Sequence, residues 1–526
     1  MKKITKRAIA FLSATAMTLS LVACSGNNVD NGMSASDEKI PDGKLFAPDT
    51  NISIVIGSHT SWPYEEDWTL WNYLREASGA NLEVTAIPNE NYDTKVNLML
   101  ASPETLPDLI HTSNKAGIVD VNGPIGAFVS IDDNMEKMPH FSAYIESLPE
   151  AERADVLNQR RSGDGKIYFA PVTGTDRLTN LRTWMYRKDI FEANNLTVPT
   201  TMDELYDVSM KLKSLYPDSY PLCFRSGLTQ IDVMGPAWRS GFNSGIFYDF
   251  ENESWHYGAQ EPEMLEIVKF FIKMNQAGLV PPDYLTIDAK GWEALVSTNR
   301  GFIMPEYLVR LDFFNLPARK DNPEFTLAIM DPPKGSGDKA QHKIAKLNLD
   351  PDGYVICNTG NQSRIDNAIK LIDWMYSDEG SHMLSWGKEG ETYEVVDGKK
   401  KFILADDETA QQAYGIGTYG LYLRMDPEAY AAAYSEEQSE QGKIAYENTE
   451  ANANPNLWLA FNDEEMAVKQ QYAVALNDYK DEALSKFLLG QRPLSEWDSF
   501  VAGLKDMNVD GIIGIYESAY ARAMGK

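Results

Sequence analysis

Hydrophobic and polar positions follow two periods along this chain, one typical of strands and one typical of helices. Ile52-Ser-Ile-Val-Ile56 is a β-branched run that predicts a buried strand. An amphipathic stretch from Asp67 to Ala77 predicts a helix that ends at Gly79. The next strand, helix and strand are predicted at Leu82–Ala86, Tyr92–Ala101 and Leu106–Ile110. Alternation at this spacing predicts an α/β lobe with a mostly parallel sheet and crossover helices.

The same alternation restarts after about Arg182 and predicts a second α/β lobe. Thr201-Met-Asp-Glu204 has the spelling of a capping box, so we expect a helix to begin there. Further strands are predicted at Phe302–Met304, Phe325–Met330 and Tyr354–Cys357. Further helices are predicted at Glu263–Ala277, Asp366–Tyr376, Asp463–Leu489 and Leu494–Met507. The C-terminal third is therefore expected to be largely helical.

The N-terminus predicts export. Lys2, Lys3, Lys6 and Arg7 precede a short apolar stretch that ends in Leu21-Val-Ala-Cys24. A basic start, a short apolar run and small residues at the cut are typical of a secretory signal. Leu-Val-Ala-Cys resembles the lipobox of bacterial lipoproteins, which implies cleavage before Cys24 and a lipid on its thiol. We expect residues 1–23 to be the signal peptide and residues 24–50, which are polar, to be a flexible tether.

Composition restricts the kind of ligand. The chain has 526 residues and a formal charge of -29, so its length favours two lobes and its surface repels nucleic acid. Apart from Cys24 only Cys223 and Cys357 remain, both in apolar runs, and they are predicted to be buried thiols. The six His residues form no His-x-x-x-His pair, and we expect no metal and no cofactor.

The sequence gives no positive support to catalysis. Gly415-Ile-Gly-Thr-Tyr-Gly420 has the spelling of a dinucleotide loop, but the polar segment before it is not a strand. Paired acids such as Glu65-Glu66 cannot be shown to face each other across a sugar, as a glycosidase requires. We therefore expect a binding protein and not an enzyme.

Three stretches have the spelling of family motifs: Trp184-Met-Tyr-Arg-Lys-Asp189 followed by Val198-Pro-Thr-Thr-Met-Asp-Glu204; Gly301-Phe-Ile-Met304 with Tyr307; and Trp386-Gly-Lys-Glu-Gly-Glu-Thr-Tyr393. They resemble the extracellular solute-binding lipoproteins (family 1 type) of bacterial carbohydrate importers driven by ATP-binding cassettes (ABC importers). The first of them is the most specific match. Some long members carry a calcium loop where this chain reads Tyr216-Pro-Asp-Ser-Tyr-Pro221, so we expect no calcium there.

The resemblance implies an α/β, two-lobed periplasmic-binding-protein-like fold of type II, with several hinge crossings. We place the crossings near Leu181, near Thr326 and after Gly360. The first lobe is then expected to comprise residues 51–181 and 326–365. Residues 182–325 and 366–526 form the second lobe with its helical extension.

Candidate ligand residues are aromatic or polar side chains expected to line the crevice between the lobes. Ser58-His-Thr-Ser-Trp62 and His111-Thr-Ser-Asn114 follow predicted strands, and ligands of α/β sheets bind beyond the carboxyl ends of the strands. Aromatic rings stack on the apolar face of a sugar, while charged and amide groups hydrogen-bond its hydroxyls. The candidates are Trp62, Tyr64, His111 and Asn114; Trp238, Arg239, Tyr307 and Arg310; and Trp386, Glu391, Tyr393 and Tyr419.

The expected function is capture of an oligosaccharide between the lobes and its delivery to an ABC permease. We expect a monomer on the outer face of the cytoplasmic membrane, bound to it through the lipid on Cys24. Two alternatives stay open at this point. One is a receptor for a peptide or polyamine, and the other is a secreted hydrolase with a carboxylate pair or nucleophile in the crevice.

Overall fold

The first strand, Asn51–Ser58, forms where the β-branched run predicts it, and the rest of the fold is arranged around it. The computed structural model describes residues 40–102, 105–113, 117–150, 153, 156–157, 161–162, 164–174, 181–249, 251–345, 352–450, 459 and 461–524. The predicted signal segment, Cys24 and Asn114 lie outside the described residues.

The described part of the chain contains fourteen strands. They are β1 Asn51–Ser58, β2 Asn81–Pro88, β3 Leu109–His111, β4 Phe169–Pro171, β5 Arg182–Arg187, β6 Ile246–Asp249, β7 Ser254–Tyr257, β8 Ile303–Tyr307, β9 Leu327–Met330, β10 Ile344–Ala345, β11 Gly353–Ile356, β12 Tyr393–Val396, β13 Lys399–Phe402 and β14 Thr449–Glu450.

Eighteen α-helices lie in the described ranges. They are α1 Thr69–Ser78, α2 Tyr92–Leu100, α3 Gly117–Asn122, α4 Pro139–Ser147, α5 Lys188–Ala193, α6 Met202–Leu215, α7 Gly227–Met234, α8 Pro262–Gln276, α9 Ala289–Ser297, α10 Arg310–Asp321, α11 Gln362–Tyr376, α12 Asp378–Ser385, α13 Ala410–Tyr414, α14 Pro427–Ala432, α15 Glu436–Glu447, α16 Asp463–Leu488, α17 Trp497–Asp506 and α18 Val509–Ala523.

The first sheet has the strand order β2-β1-β3-β11-β4. Strand β1 is parallel to β2 and β3, as the alternation predicts, whereas β11 is antiparallel to both its neighbours. Ile54 and Ile56 enter one core and Val55 enters another, because successive side chains of a strand point to opposite faces. Both faces of β1 are therefore covered, which explains why its run is almost continuously apolar.

The second sheet is antiparallel, with β5 between β8 and β9. Helix α6 begins after Thr201, whose side chain accepts a hydrogen bond from the backbone N–H of Glu204 at 3.1 Å. The Glu204 carboxylate accepts from Thr200 N–H at 2.8 Å, one residue earlier than a capping box requires. The predicted helix start is thus found with a slightly different cap.

The buried apolar side chains divide the chain differently from the predicted lobes. Those of residues 365–433 pack in the same core as those of residues 46–170, although residues 366–526 were expected in the second lobe. The core of the second sheet instead takes in residues 461–519. Phe46 is buried in the first core, so the part of the tether next to β1 is folded.

The chain passes between the two cores three times. It goes from the first to the second between residues 174 and 181 and returns between residues 345 and 353. It leaves the first core again between Ala433 and Ala445. Strand β9 still belongs to the second sheet, so the return lies after the expected position near Thr326. Within the described residues, no helix has the length and hydropathy needed to cross a bilayer.

Candidate ligand-binding site

The loop that follows β1 reaches the second lobe. A loop at the carboxyl end of a central parallel strand stands at the edge where α/β sheets hold their ligands. Ser61 Oγ donates to Glu293 Oε1 at 2.6 Å and accepts from Arg310 Nη2 at 3.0 Å. Arg310 Nη1 donates to the same Glu293 oxygen at 2.8 Å. Glu293 lies on α9 and Arg310 begins α10, so three elements from two lobes meet here.

Trp62 is the aromatic centre of this meeting point. The Arg310 guanidinium carbon lies 4.8 Å from the Trp62 ring centroid, within the range of a cation–π contact. The Phe313 ring meets Trp62 edge-on at 5.5 Å, and the His59 ring lies 4.8 Å away. Trp62 Nε1 is buried and has no hydrogen-bond partner among the described residues.

Tyr419 forms part of the first-lobe wall. Its ring lies 6.3 Å from that of His59 and 6.0 Å from that of His111, and its hydroxyl accepts from Asn89 Nδ2 at 3.2 Å. Tyr419 belongs to the Gly415–Gly420 stretch, where Gly420 has a φ of +83°. A Cβ at Gly420 would lie 2.5 Å from Ile56, so this stretch acts as a close-packed loop beside β1.

His111 is buried at the end of β3. Its Nδ1 accepts from the backbone N–H of Ser113 at 3.1 Å, so the proton of the neutral ring is on Nε2. Nε2 has no partner in the described part of the chain. Burial lowers the pKa of His111, while the charge of Asp352 opposes this shift. The ring therefore offers an N–H donor and not a cation.

An arginine cluster lies on the second lobe beside Arg310. Arg225 Nε and Nη2 donate to the two carboxylate oxygens of Glu306 at 2.6 and 3.1 Å. Arg182 opens β5 and pairs across the sheet with Tyr307. Its guanidinium donates to the Tyr307 hydroxyl at 3.0 Å and stacks on the ring at 4.2 Å. The cluster thus combines three cations with Glu306, Glu293 and an aromatic ring.

The arginines dominate the local field. Burial favours the neutral acid and raises the pKa of Glu306, but the neighbouring guanidiniums, that of Arg225 foremost, outweigh it and hold the pKa at about 2. Burial lowers the pKa of His59, and the cations of Arg310 and Arg225 lower it further, to about 3. Glu306 is therefore an anion and His59 a neutral ring at physiological pH.

Two of the second-lobe candidates lie away from this cluster. Trp238 is buried in the second core and packs against Phe270 at a centroid distance of 6.0 Å. Arg239 is buried in a network with Asp249, Glu261 and Glu263 within the same lobe. Trp238 is therefore explained by core packing, and Arg239 is explained by its ion pairs.

The candidates in the Trp386–Tyr393 motif are packed into the first lobe. The Trp386 ring stacks on Phe402 at 4.9 Å, and its Nε1 donates to Asp426 Oδ2 at 2.8 Å. Tyr393 is buried beside Trp386 at 5.4 Å. Glu391 is exposed and accepts from the Tyr73 hydroxyl at 2.6 Å. This motif thus joins β12 and β13 to α1.

Tyr64 also faces the first-lobe core. Its ring meets Trp68 and Trp71 edge-on at 6.2 and 5.4 Å, and its hydroxyl accepts from Arg75 Nη2 at 2.8 Å. The described candidates that come together around the facing surfaces of the lobes are Trp62, His111, Tyr307, Arg310 and Tyr419. The predicted candidates omit Arg182, Arg225, Glu293 and Glu306, and they include His59 and Ser61 only as members of the Ser58–Trp62 loop.

A signal for part of this missed set is present in the sequence. Arg182 and Glu306 sit within largely apolar strand runs, and a charge that is buried in a strand needs a partner or a ligand.

Cys223 and Cys357 are buried free thiols, as predicted. No group of three or more potential metal ligands from His, Cys, Asp and Glu occurs in the described ranges.

Two lobes that meet across a polar and aromatic surface define a receptor that holds its solute between them. The chain belongs to the bacterial extracellular solute-binding protein family, whose model matches residues 64–381. Lipoprotein LipO of Bacillus subtilis (strain 168) is 22% identical over 390 residues, which are 72% of each chain. The polygalacturonan/rhamnogalacturonan-binding protein YtcQ of the same strain is 20% identical over 507 residues, or 94% of this chain and 96% of the relative.

Solved structures agree on the fold. The alginate-binding protein AlgQ2, in its structure without calcium ion, has a TM-score of 0.77 at 20% identity and covers 91% of this chain and 99% of its own. FusA, an ABC-transporter substrate-binding protein of S. pneumoniae in complex with kestose, has a TM-score of 0.72 at 17% identity, covering 90% and 100%. The predicted two-lobed α/β fold and the predicted binding-protein class are confirmed.

Proposed function

We propose that this protein is a lipid-anchored extracellular receptor that captures an oligosaccharide between its lobes and delivers it to an ABC permease. One observation carries the proposal. Trp62 and Tyr419 bring aromatic rings beside the hydrogen-bonding groups of Arg310 and His111, and these residues come from both lobes. A sugar ring presents both an apolar face and hydroxyls, so it suits such a surface.

The names of the relatives support a carbohydrate ligand. YtcQ is named for binding polygalacturonan and rhamnogalacturonan, AlgQ2 for binding alginate, and FusA is seen with kestose. Another structural neighbour is an N-glycan transport solute-binding protein of Streptococcus pneumoniae. The ligands of all four proteins are glycans, although their sugars and linkages differ. The proposal therefore specifies the ligand class and leaves the particular sugar to experiment.

The polyamine alternative is disfavoured by the arginine cluster. A polyamine is a polycation and needs an acidic crevice, whereas Arg182, Arg225 and Arg310 lie together on the second lobe. The hydrolase alternative is disfavoured by family membership, because the family consists of solute-binding proteins.

Thermal stabilisation by oligosaccharides tests the ligand class. A ligand that binds only the folded state stabilises that state by about 2.7 kcal/mol when its free concentration is one hundred times its Kd. We expect at least one oligosaccharide to raise the Tm without being shortened, whereas peptides and polyamines leave the Tm unchanged. Appearance of shortened sugars, or a shift with peptide or polyamine alone, would overturn the proposal.

Two matched variants test whether the facing surface is the site. Trp62→Ala removes the ring that Arg310 covers, and we expect it to weaken oligosaccharide binding at least tenfold. Tyr206→Ala is the control, because Lys273 Nζ lies 3.7 Å from that ring in a comparable cation–π contact on α6, outside the cluster. Equal affinity of the two variants would argue against a site at Trp62.

The anchor is a separate part of the proposal. Leu21-Val-Ala-Cys24 and the likeness to a protein named a lipoprotein support acylation of Cys24. We expect labelled palmitate to be incorporated and the protein to stay with cells, and Cys24→Ser to release it into the medium. Ser25→Ala, one residue away, should behave as wild type. Retention of an unlabelled Cys24→Ser protein on the membrane would contradict the anchor.

The lobe boundaries and the oligomeric state complete the proposal. The cores support a first lobe of residues 40–174 and 352–434 and a second lobe of residues 181–345 and 435–524. We propose that the protein works as a monomer beside its permease, where a tether keeps it at high effective concentration. A dimer mass in light scattering at micromolar concentration would contradict the monomer.

A further inference from the structure

Arg182 is a buried cation whose bonding partners are neutral. Its residue is 4% exposed, and its guanidinium donates to the Gln230 side-chain oxygen and to the Tyr307 hydroxyl. It forms no salt bridge with any residue in the described ranges, whereas Arg225 pairs with Glu306 and Arg310 pairs with Glu293. The charge of Glu306 acts on Arg182 through space, but that carboxylate is already bonded to Arg225. A buried charge without an ion-pair partner of its own is unfavourable until one is supplied.

The charges of the cluster do not balance. Arg182, Arg225 and Arg310 contribute three positive charges, and the carboxylates of Glu293 and Glu306 contribute two negative ones. The excess of one cation occurs in a protein whose overall formal charge is -29. A positive site within so acidic a chain is a local feature that the bulk composition does not produce.

Unpartnered hydrogen-bond donors surround the same cluster. The buried nitrogens without a partner among the described residues include Trp62 Nε1, Arg182 Nε, Gln230 Nε2 and Arg310 Nε. On the first lobe, Asn89 Oδ1 is a buried acceptor without a partner among the described residues. A set dominated by donors is complementary to a ligand rich in acceptors, since unmade buried hydrogen bonds are unfavourable.

We propose that the captured oligosaccharide is acidic, composed of or containing uronic acid residues, and that the Arg182 guanidinium binds one of its carboxylates. This inference rests on the proposed function and narrows its substrate class. A carboxylate supplies both the missing negative charge and acceptor oxygens, and it fits the planar fork of an arginine. A neutral sugar supplies hydroxyls, which leave the excess charge uncompensated.

The titration of neighbouring groups is consistent with this assignment. Burial lowers the pKa of His59 and raises that of Glu306, and the arginine cations lower both pKa values, as a positive electrostatic potential does for an acid and a base alike. The positive potential of the arginines is therefore felt at both His59 and Glu306.

The experiment compares ligands that differ in charge but not in size. Isothermal titration calorimetry would use trimers to hexamers of galacturonate and of mannuronate, the methyl esters of the same oligomers, and neutral galacto-oligosaccharides. We expect at least one acidic series to bind tenfold or more tightly than its own methyl ester. The acidic affinity should fall as salt is raised, because charge–charge attraction is screened.

Substitutions then locate the contact. Arg182→Gln should weaken the acidic oligomer at least tenfold and by a larger factor than the methyl ester, while Arg182→Lys, which keeps the charge, should lose less affinity for the acid. Arg300→Gln is the control, because Arg300 is exposed on the same lobe and its guanidinium donates to the backbone oxygen of Asp218. Circular dichroism and the Tm of each variant show whether it is folded. If Arg182→Gln does not fold, the comparison of Arg182→Lys with wild type still tests the contact.

The outcomes separate this inference from the proposed function. Neutral or esterified oligomers that bind as tightly as the acids would overturn the acidic substrate class and leave oligosaccharide capture standing. Acid-selective binding that is as tight in both Arg182 variants as in the wild type would overturn the assignment of Arg182. Failure of a wide panel of both acidic and neutral oligosaccharides to bind would overturn the proposed function itself.

Discussion

Glu306 offers the sharpest test of the electrostatics, because the residue is only 1% exposed and both of its carboxylate oxygens accept hydrogen bonds. It accepts from Arg225 Nε at 2.6 Å, from Arg225 Nη2 at 3.1 Å and from Tyr307 N–H at 2.9 Å. Glu306→Gln keeps the shape of the side chain but removes its charge. Arg225 is then left without its carboxylate, and the cluster keeps three cations against the single charge of Glu293.

The magnitude follows from the pKa of Glu306. The guanidiniums overcome the opposing effect of burial and lower it from 4.5 to about 2, and each unit is worth about 1.4 kcal/mol, so the ionised form stabilises the fold by roughly 3 kcal/mol at pH 7. Breaking a buried ion pair by removing one partner costs about 3–5 kcal/mol, which agrees. The variant should therefore unfold at pH 7 with a free energy lower by roughly 3 kcal/mol.

The pH dependence distinguishes this mechanism from a packing defect. A carboxyl whose folded pKa is depressed contributes stability that is present above the unfolded value of 4.5 and is lost as pH falls toward 2. Urea unfolding of the wild type and Glu306→Gln should thus differ by roughly 3 kcal/mol at pH 7. At pH 3 the difference should be about half as large or less.

A surface pair provides the control. Arg319 donates to both oxygens of Glu437 at 2.8 and 3.1 Å, but that carboxylate side chain is 41% exposed. Glu437→Gln has the same two-bond geometry and should change stability by about 1 kcal/mol or less. A wild-type stability that exceeds Glu306→Gln by the same amount at pH 7 and pH 3 would refute the electrostatic reasoning.

Three further predictions follow from packing and burial. Trp386→Ala should lower the unfolding free energy in urea by about 3–5 kcal/mol while the folded fraction binds ligand with wild-type affinity in calorimetry, and a selective loss of affinity would return Trp386 to the site. Gly420→Ala, whose Cβ would meet Ile56 at 2.5 Å, should lower the Tm more than Gly398→Ala, where φ is also positive but the space is open; equal shifts would contradict the close approach. His59→Gln should flatten the loss of stability between pH 6.5 and about 3, because the folded pKa of His59 is depressed, and an unchanged pH profile would argue against its burial.

Those parts of the fold whose signals are local were predictable from the sequence. The β-branched run of β1 and the Thr201 cap are determined by residues within a few positions of each other. The placement of Trp62 just beyond the carboxyl end of β1 follows from the same local pattern, since strand direction fixes which edge a loop occupies. These features needed no knowledge of distant contacts.

The remaining features depend on contacts between residues far apart in the chain. A tryptophan in a glycine-bounded loop, such as Trp238, can point to a core or to a ligand with the same sequence around it, and its neighbour Phe270 is thirty-two residues away. Arg182 is likewise held by Gln230 and Tyr307. Residues 365–433 join the first core only because the chain has returned to the first sheet at β11. Periodicity carries no information about such returns.

The arginine cluster lies where closure of the two lobes would depend on a bound ligand. Protein contacts across the facing surfaces centre on Arg310, which is bound by Ser61 and covered by Trp62, and such contacts are worth about 1 kcal/mol each. Shifting an equilibrium from mostly open to mostly closed requires a differential affinity of about 5.5 kcal/mol. Two or three charge-assisted hydrogen bonds at about 1.5–3 kcal/mol each reach that value. Only hydrogen bonds that form on closure count toward this value, so a carboxylate held by Arg182 makes closure depend on the ligand when two or three such bonds reach it from the first lobe.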